Sequence, residues 1–256
     1  MTDPLDPVSA TDKVEALDRI IRATSVEAAW DAFGEAAAAC GFVTLLYGMA
    51  RHPGPPDPID PAEVLILHRG SPGWLDAYVD EQLYIDNPLF EWVQHNEGFD
   101  SVARIAAAFD GPLSPQMARL IALRAEHGIG PGYVGGLRDT MPGVNAGLTV
   151  NLPGGTEPEQ AEAAWALHGA HMETLSRALH LRVATLPQPL LRPLSSRQRE
   201  VLEWYSQGKA VRDIAVIIGV DASTVEKHLR LAREALNATN TSHAVRKALT
   251  LNLLRA

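Results

Sequence analysis

The strongest constraint on this chain lies in its last third, where apolar residues recur at the period of an α-helix. At about 100° per residue, Val225, Leu229, Ala232 and Leu236 fall within one narrow sector, and Ser223, Lys227, Arg230 and Glu234 fall on the opposite side. Such a segment must lay its aliphatic seam on a core and keep a polar, partly basic face outside. Residues 194–254 divide into four short helices. Ser195 and Gln198 form a capping-box pattern ahead of Val201, Leu202 and Tyr205. Asp221 can cap the third helix and Asn240 the fourth, whereas Ala210, ahead of the second, has no side chain that caps. Between the second and third helices stands Ile218-Gly219-Val220, and a glycine in a short turn between two helices marks a helix-turn-helix.

A helix with that outer face fits the major groove of DNA, which predicts double-stranded DNA as the partner of this end. Arg230 can pair bidentately with a guanine edge. Lys209, Arg212, Arg233, Arg246 and Lys247 suit phosphates, contacts that position a domain without reading sequence. The charge is divided to match. Residues 1–186 hold 11 Lys+Arg against 25 Asp+Glu, a net −14, while residues 187–256 hold 11 against 6, a net +5. An acidic body repels phosphates; a basic end neutralises them and releases counterions.

The stretch Leu186–Pro193 (LPQPLLRP) carries three prolines in eight residues, which removes donors and disfavours helix. This predicts a linker at 186–193, between a first domain over 1–185 and a second over 194–256. At 256 residues and 46% hydrophobic content, both can fill a core. No run reaches the roughly 18 apolar residues of a membrane span. The N-terminus, MTDPLDPVSATDK, lacks the basic and apolar regions of a secretory signal. Cys40 is the only cysteine, so no disulfide forms within the chain, and a reducing cytoplasm is expected.

In the first domain the spacing predicts helices over Asp12–Ala23, Ser25–Cys40, Gly73–Leu83, Pro88–His95, Pro115–His127 and Pro158–Thr185. Strands are expected at Gly41–Ala50, Glu63–Arg69, Gly132–Asp139 and Val144–Leu152. The intervening RHPGPPDPIDP is too proline-rich for either. Strands bracketed by helices imply an α+β fold, an antiparallel sheet with helices on its faces. Along the last helix, Trp165, Met172, Leu175 and Leu179 can offer a dimer surface or pack on their own sheet.

Trp74 and Tyr78 are four residues apart and share a helix face. Asp86, Asn87 and Pro88 follow, and Thr149 lies in AGLTVNL. An indole donor, a phenol, a carboxylate or amide acceptor and a hydroxyl can orient a small amphiphile in an apolar pocket. On spacing alone, Trp74 and Tyr78 are equally well core aromatics.

Leu194–Leu254 resembles the LuxR-type helix-turn-helix domain along its whole length. The stretches LSSRQREVLEWYSQGK, VRDIAVIIGVDASTVEKHLRLAREAL and NTSHAVRKALTLNLL carry the resemblance. Glu200, Gly208, Ile214-Ala215, Thr224-Val225 and His228-Leu229 stand where that domain repeats its pattern. The resemblance implies groove-reading positions at Glu226, Lys227 and Arg230, so the DNA-facing set is Ser223, Thr224, Glu226, Lys227 and Arg230. The helical wheel reaches Lys227 and Arg230 independently and puts Glu226 on the flank.

Residues from about 25 to 180 resemble the autoinducer-binding domain of LuxR-family quorum-sensing regulators, through PGWLDAYVDEQLYIDNPLF, EHGIGPGYVGG and AGLTVNL. That resemblance implies an α-β-α sandwich burying an N-acyl homoserine lactone. It implies Trp74 donating to the lactone carbonyl, Tyr78 facing the acyl amide carbonyl and Thr149 supporting it. The sequence departs from the family at three places. Gly70 stands where a pocket tyrosine is expected, Val102 where a second tryptophan is expected, and Asn87 where an aspartate precedes the proline. Asp86, one residue earlier, can take the aspartate's role through a bulge.

The resulting expectation is a cytoplasmic transcription regulator, switched by a small-molecule signal and acting as a homodimer on a pseudo-palindromic site. The alternative is a ligand-independent regulator of the same type, or an antagonist that forms heterodimers. A phosphate-binding glycine loop, G-x-S-x-G, H-E-x-x-H and metal-ligand spacings are all missing, so neither an enzyme nor a metal or cofactor site is expected.

Overall fold

The computed structural model describes residues 4–50, 64–85, 87–108, 114–138, 145–190 and 192–254. The chain forms two compact units, Met1–Ala184 and Thr185–Ala256.

The first unit opens with α1 (Ala10–Arg22) and α2 (Val26–Ala39). Each begins at a serine whose hydroxyl accepts a first-turn N–H: Ser9 from Asp12 at 3.2 Å, Ser25 from Ala28 at 3.1 Å. Then follow β1 (Thr44–Ala50), β2 (Val64–Arg69), α3 (Trp74–Asp80) and α4 (Pro88–His95). Next come β3 (Gly98–Ser101), α5 (Val102–Ala108), α6 (Pro115–Glu126), β4 (Ile129–Arg138), β5 (Asn145–Pro153) and α7 (Pro158–Thr185). The strands pair antiparallel in the order β2-β1-β5-β4-β3. The architecture is the expected α-β-α sandwich.

Alternation along β1 separates the two faces of the sheet. Leu45, Tyr47 and Met49 are buried on one side. There the Tyr47 hydroxyl meets Nδ1 of His180 on α7 at 2.9 Å, and Trp30 of α2 packs on the Tyr47 ring. Met172, Leu175 and Leu179 of α7 are fully buried, and Trp165 stacks on Tyr133 of β4 with ring centroids 4.0 Å apart. Of the two readings of that seam, the structure takes the second: it packs on its own sheet. Leu46 and Gly48 turn to the other side, toward α3 to α6.

Two elements escaped the sequence. Gly98–Ser101 is half-buried throughout and shows no alternation, yet it pairs with Gly136–Tyr133 as an edge strand, and α5 follows directly. The proline-rich segment RHPGPPDPIDP lies outside the described residues, as does Asp86.

The second unit holds α8 (Ser196–Ser206), α9 (Val211–Ile218), α10 (Ala222–Ala235) and α11 (Thr241–Thr250). Val225, Leu229, Ala232 and Leu236 join Val201, Leu202, Ile214, Ala244 and Ala248 in one core. The capping box of Ser195 and Gln198 forms in both directions, and Asn240 Oδ1 accepts from His243 N at 2.8 Å. Asp221 is a correction. It holds the N-cap position, but its carboxylate caps nothing; its backbone oxygen receives Thr224 N at 2.9 Å and Val225 N at 3.3 Å. Gly219 ends α9 at φ 68° and ψ 44°, a left-handed geometry that costs most side chains strain. The proline-rich stretch starts docked: Gln188 N donates to Leu251 O at 2.9 Å, and Leu186 is buried.

Candidate functional site

Between the Gly48 face of the sheet and helices α3 to α6 lies a cavity of about 460 Å³. This is the size range of small-molecule sites, about 300–1,000 Å³. Its walls are mostly apolar, with Leu46, Ile66, Leu120, Val134 and Leu148 among them. Trp74, Tyr78, Asn87 and Thr149 all line it, so four of the sequence-predicted ligand residues come together here. Val102, Tyr84, Gly48 and Arg124 line it as well. At Gly48 a side chain would meet no atom within 4 Å, so the floor of the cavity is open there.

The rings form a ladder. His68 stacks on Trp74 at 5.2 Å, Trp74 on Tyr78 at 5.0 Å, and Tyr84 meets Tyr78 edge-on at 6.3 Å. Trp74 is 4% exposed, and its Nε1 is buried with no hydrogen-bond partner among the described residues. An unpaired buried donor costs about 1–3 kcal/mol. An acceptor brought into the cavity beside the indole would satisfy it. Burial pushes the Tyr78 phenol up to about 12, opposed by interaction with the Asn87 side chain, so Tyr78 is a neutral hydroxyl at physiological pH.

The departures from the family acquire physical reasons. Gly70 has φ 149°, and a Cβ there would stand 2.9 Å from Thr44 Cγ2 and 3.2 Å from His68 Nε2. No side chain fits at Gly70 without a shift, and His68 supplies the ring beside Trp74 instead. Asn87 caps α4: its Oδ1 accepts from Leu89 N at 3.0 Å. That bond fixes the amide orientation and leaves both Nδ2 donors for further partners.

In the second unit, Ser223, Glu226, Lys227 and Arg230 are exposed on α10, and Thr224 and Arg233 are half-exposed. Arg230 Nη1 is ion-paired with Glu234 at 2.6 Å, one turn on. Lys209 and Arg212 are exposed beside the start of α9, and Lys247 Nζ reaches Asn237 O at 3.4 Å.

The model of the autoinducer binding domain matches residues 25–183, and that of bacterial regulatory proteins of the luxR family matches residues 192–248. The chain belongs to the LuxR family. It is 32% identical to the quorum sensing-dependent transcriptional regulator RpaR of Rhodopseudomonas palustris, over 85% of each chain. It is 27% identical to the transcriptional activator BjaR1 of Bradyrhizobium diazoefficiens, over 73% of this chain and 75% of that one. CepR2 of Burkholderia cenocepacia, an N-acylhomoserine lactone dependent factor, shares the fold at a TM-score of 0.53 and 24% identity. That match covers 67% of this chain and 93% of CepR2.

This LuxR-family chain is therefore a DNA-binding transcription regulator whose first unit is built to take a small-molecule signal. Among the described residues no helix is long and apolar enough to cross a membrane. Two features of the cavity were not legible in the sequence. Arg124 reads there as one more cation on an amphipathic helix, and Gly48 as one more small residue in a strand.

Proposed function

We propose that the cavity binds an N-acyl homoserine lactone or a closely related amphiphile, and that occupancy switches a homodimer onto a pseudo-palindromic DNA site. The observation that carries this is the Trp74 Nε1–H, buried without a partner among the described residues, on a side chain that lines an apolar cavity. In this reading Trp74 donates to the lactone carbonyl, Tyr78 donates to the amide carbonyl, and the Thr149 hydroxyl supports it. Asn87 presents its amide N–H, and Asp86 accepts the signal's own N–H. The chain is a regulator and not an enzyme, and it acts in the cytoplasm. Residues 1–185 sense, 186–193 link and 194–256 bind DNA.

The signal becomes part of the first core. A ligand bound only by the folded form, at a hundred times its dissociation constant, stabilises it by about 2.7 kcal/mol. Dimerisation then brings two α10 helices to successive major grooves, the spacing a helix-turn-helix dimer requires. Glu226, Lys227 and Arg230 read base edges with Ser223 and Thr224 beside them, while Lys209, Arg212 and Arg233 hold phosphates.

Mass spectrometry of small molecules extracted from purified protein, joined to thermal-shift titration with acyl lactones, tests the reading. A bound acyl lactone, or a dose-dependent rise in melting temperature, supports it. An empty protein with no shift across chain lengths overturns it in favour of a ligand-independent regulator or a heterodimerising antagonist.

A further inference from the structure

Among the described residues, one charge on the cavity wall has no counter-charge. Arg124, on α6, is half-buried and lines the cavity. Its Nη2 donates to Gly130 O at 2.8 Å and to Asn151 Oδ1 at 3.1 Å, both neutral acceptors. Among the described residues no carboxylate pairs with it, and the described cavity lining contains no Asp or Glu. Arg119, five residues earlier on the same helix, is treated in the opposite way. It is ion-paired twice, with Glu81 at 2.8 Å and Glu126 at 2.9 Å. Burial holds the Arg124 guanidinium below the ordinary arginine pKa, the direction expected of a cation that is desolvated and not compensated.

A guanidinium offers five N–H donors in a planar fork, and the two bonds to Gly130 and Asn151 occupy only one of its nitrogens. With Nη2 engaged, Nη1 and Nε remain to donate, and a bond from either to a carboxylate is charge-assisted, roughly twice as strong as a neutral one. In a mostly apolar cavity such a pair is weakly screened, so its attraction is strong. A carboxylate entering the same cavity without Arg124 would lose its hydration and gain no partner. A purely alkyl chain would leave the guanidinium as uncompensated as it is now.

We propose that Arg124 is a specificity-determining residue of the cavity and that the signal it selects carries a carboxylate. The inference rests on the small-molecule reading of the cavity given above. Two chemistries present such a group. A ring-opened N-acyl homoserine carries it at the polar end, and an acyl lactone whose chain ends in a carboxylate carries it at the other.

Calorimetric titration of the full chain at neutral pH, where carboxylates are ionised, tests this with three probes of matched acyl length. They are N-octanoyl homoserine lactone, N-octanoyl homoserine, and the lactone analogue whose acyl chain ends in a carboxylate. One of the two carboxylates is expected to bind at least about tenfold tighter than the neutral lactone. Arg124→Gln keeps amide donors for Gly130 and Asn151 and removes the charge, so the ratio falls to about one. Arg124→Lys keeps the charge and retains a preference. If the neutral lactone binds as tightly as both carboxylates, or the preference survives in Arg124→Gln, the inference is overturned and the cavity's ligand reading stands. If none of the three binds, the inference falls together with that reading. Should Arg124→Gln fail to fold, the wild-type ratio and the Arg124→Lys ratio decide.

Discussion

Trp74 and Tyr78 lie one helical turn apart with their rings nearly parallel, 13° between planes and 5.0 Å between centroids. The stack fixes the indole against the cavity while its N–H stays unpaired. A side chain that is both packed core and unsatisfied donor separates two quantities usually lost together, fold stability and ligand affinity.

Trp74→Phe keeps a ring between His68 and Tyr78 and deletes the donor. The ligand-free melting temperature should change by no more than about 4 °C, since lost packing is offset by removal of the orphan N–H. Affinity for an acyl lactone should fall about two- to tenfold, the worth of one neutral hydrogen bond. Thermal-shift titration of both proteins reads this directly. An undiminished ligand response in the variant would remove the indole from recognition.

Gly48→Val should act in the reverse direction. Position 48 sits mid-strand, and a Cβ there meets open cavity. A β-branched side chain suits the strand, so ligand-free stability by urea unfolding should rise by up to about 1 kcal/mol. The same methyls occupy the cavity floor, so the ligand-induced shift should shrink. Full ligand response with the valine in place would mean that the signal sits elsewhere.

Gly219→Ala tests the turn of the helix-turn-helix. Forcing a Cβ into the left-handed geometry costs about 1–2 kcal/mol, and Gly219→Asn should cost less. The expected readout is a lower melting transition of the second unit by far-UV circular dichroism, with the first transition unmoved.

Arg230 is held by Glu234 before any DNA arrives. This exposed pair contributes little to stability, so breaking it should be nearly silent in a melt. Glu234→Gln should strengthen DNA binding at low salt by freeing Arg230 and removing a negative charge from the groove face. Arg230→Ala should flatten preference at one base pair in each half-site, a loss of about 1–3 kcal/mol of discrimination. Fluorescence anisotropy over single-base operator variants distinguishes this from a uniform loss, which would make Arg230 a phosphate contact.

The first unit should lose stability on acidification. His68, His168 and His171 all have pKa values lowered in the fold, with burial the leading cause. The unfolded chain binds protons at about pH 6.5 that the folded one refuses, so stability is full above that pH and falls below it. His68→Phe preserves the stack on Trp74 and should flatten part of the slope of melting temperature between about pH 7 and 5. A slope unchanged by this variant would assign the acid sensitivity to the other groups.

Apart from α5, the sequence by itself determined the helices, most of their caps and the helix-turn-helix, because these depend on neighbours three or four residues away. Ser195 with Gln198, Asn240 and Gly219 act as the local rules require. The same reasoning overreached at Asp221, where backbone geometry let a carbonyl do the capping. It also reached an antiparallel sheet with helices on its faces, since strand clusters bracketed by helices are read from local patterns. The tertiary structure alone decided what depends on distant chain segments meeting. Gly98–Ser101 is a strand only because Gly136–Tyr133 runs beside it. The Trp165, Met172, Leu175 and Leu179 seam faces inward only because the sheet lies beneath it. Trp74, Asn87, Arg124 and Thr149 line one cavity although 75 positions separate Trp74 from Thr149 along the chain. Whether a donor or a cation is paired is a property of what surrounds it in three dimensions, and no spacing in the sequence encodes that Arg124 has no acid beside it among the described residues.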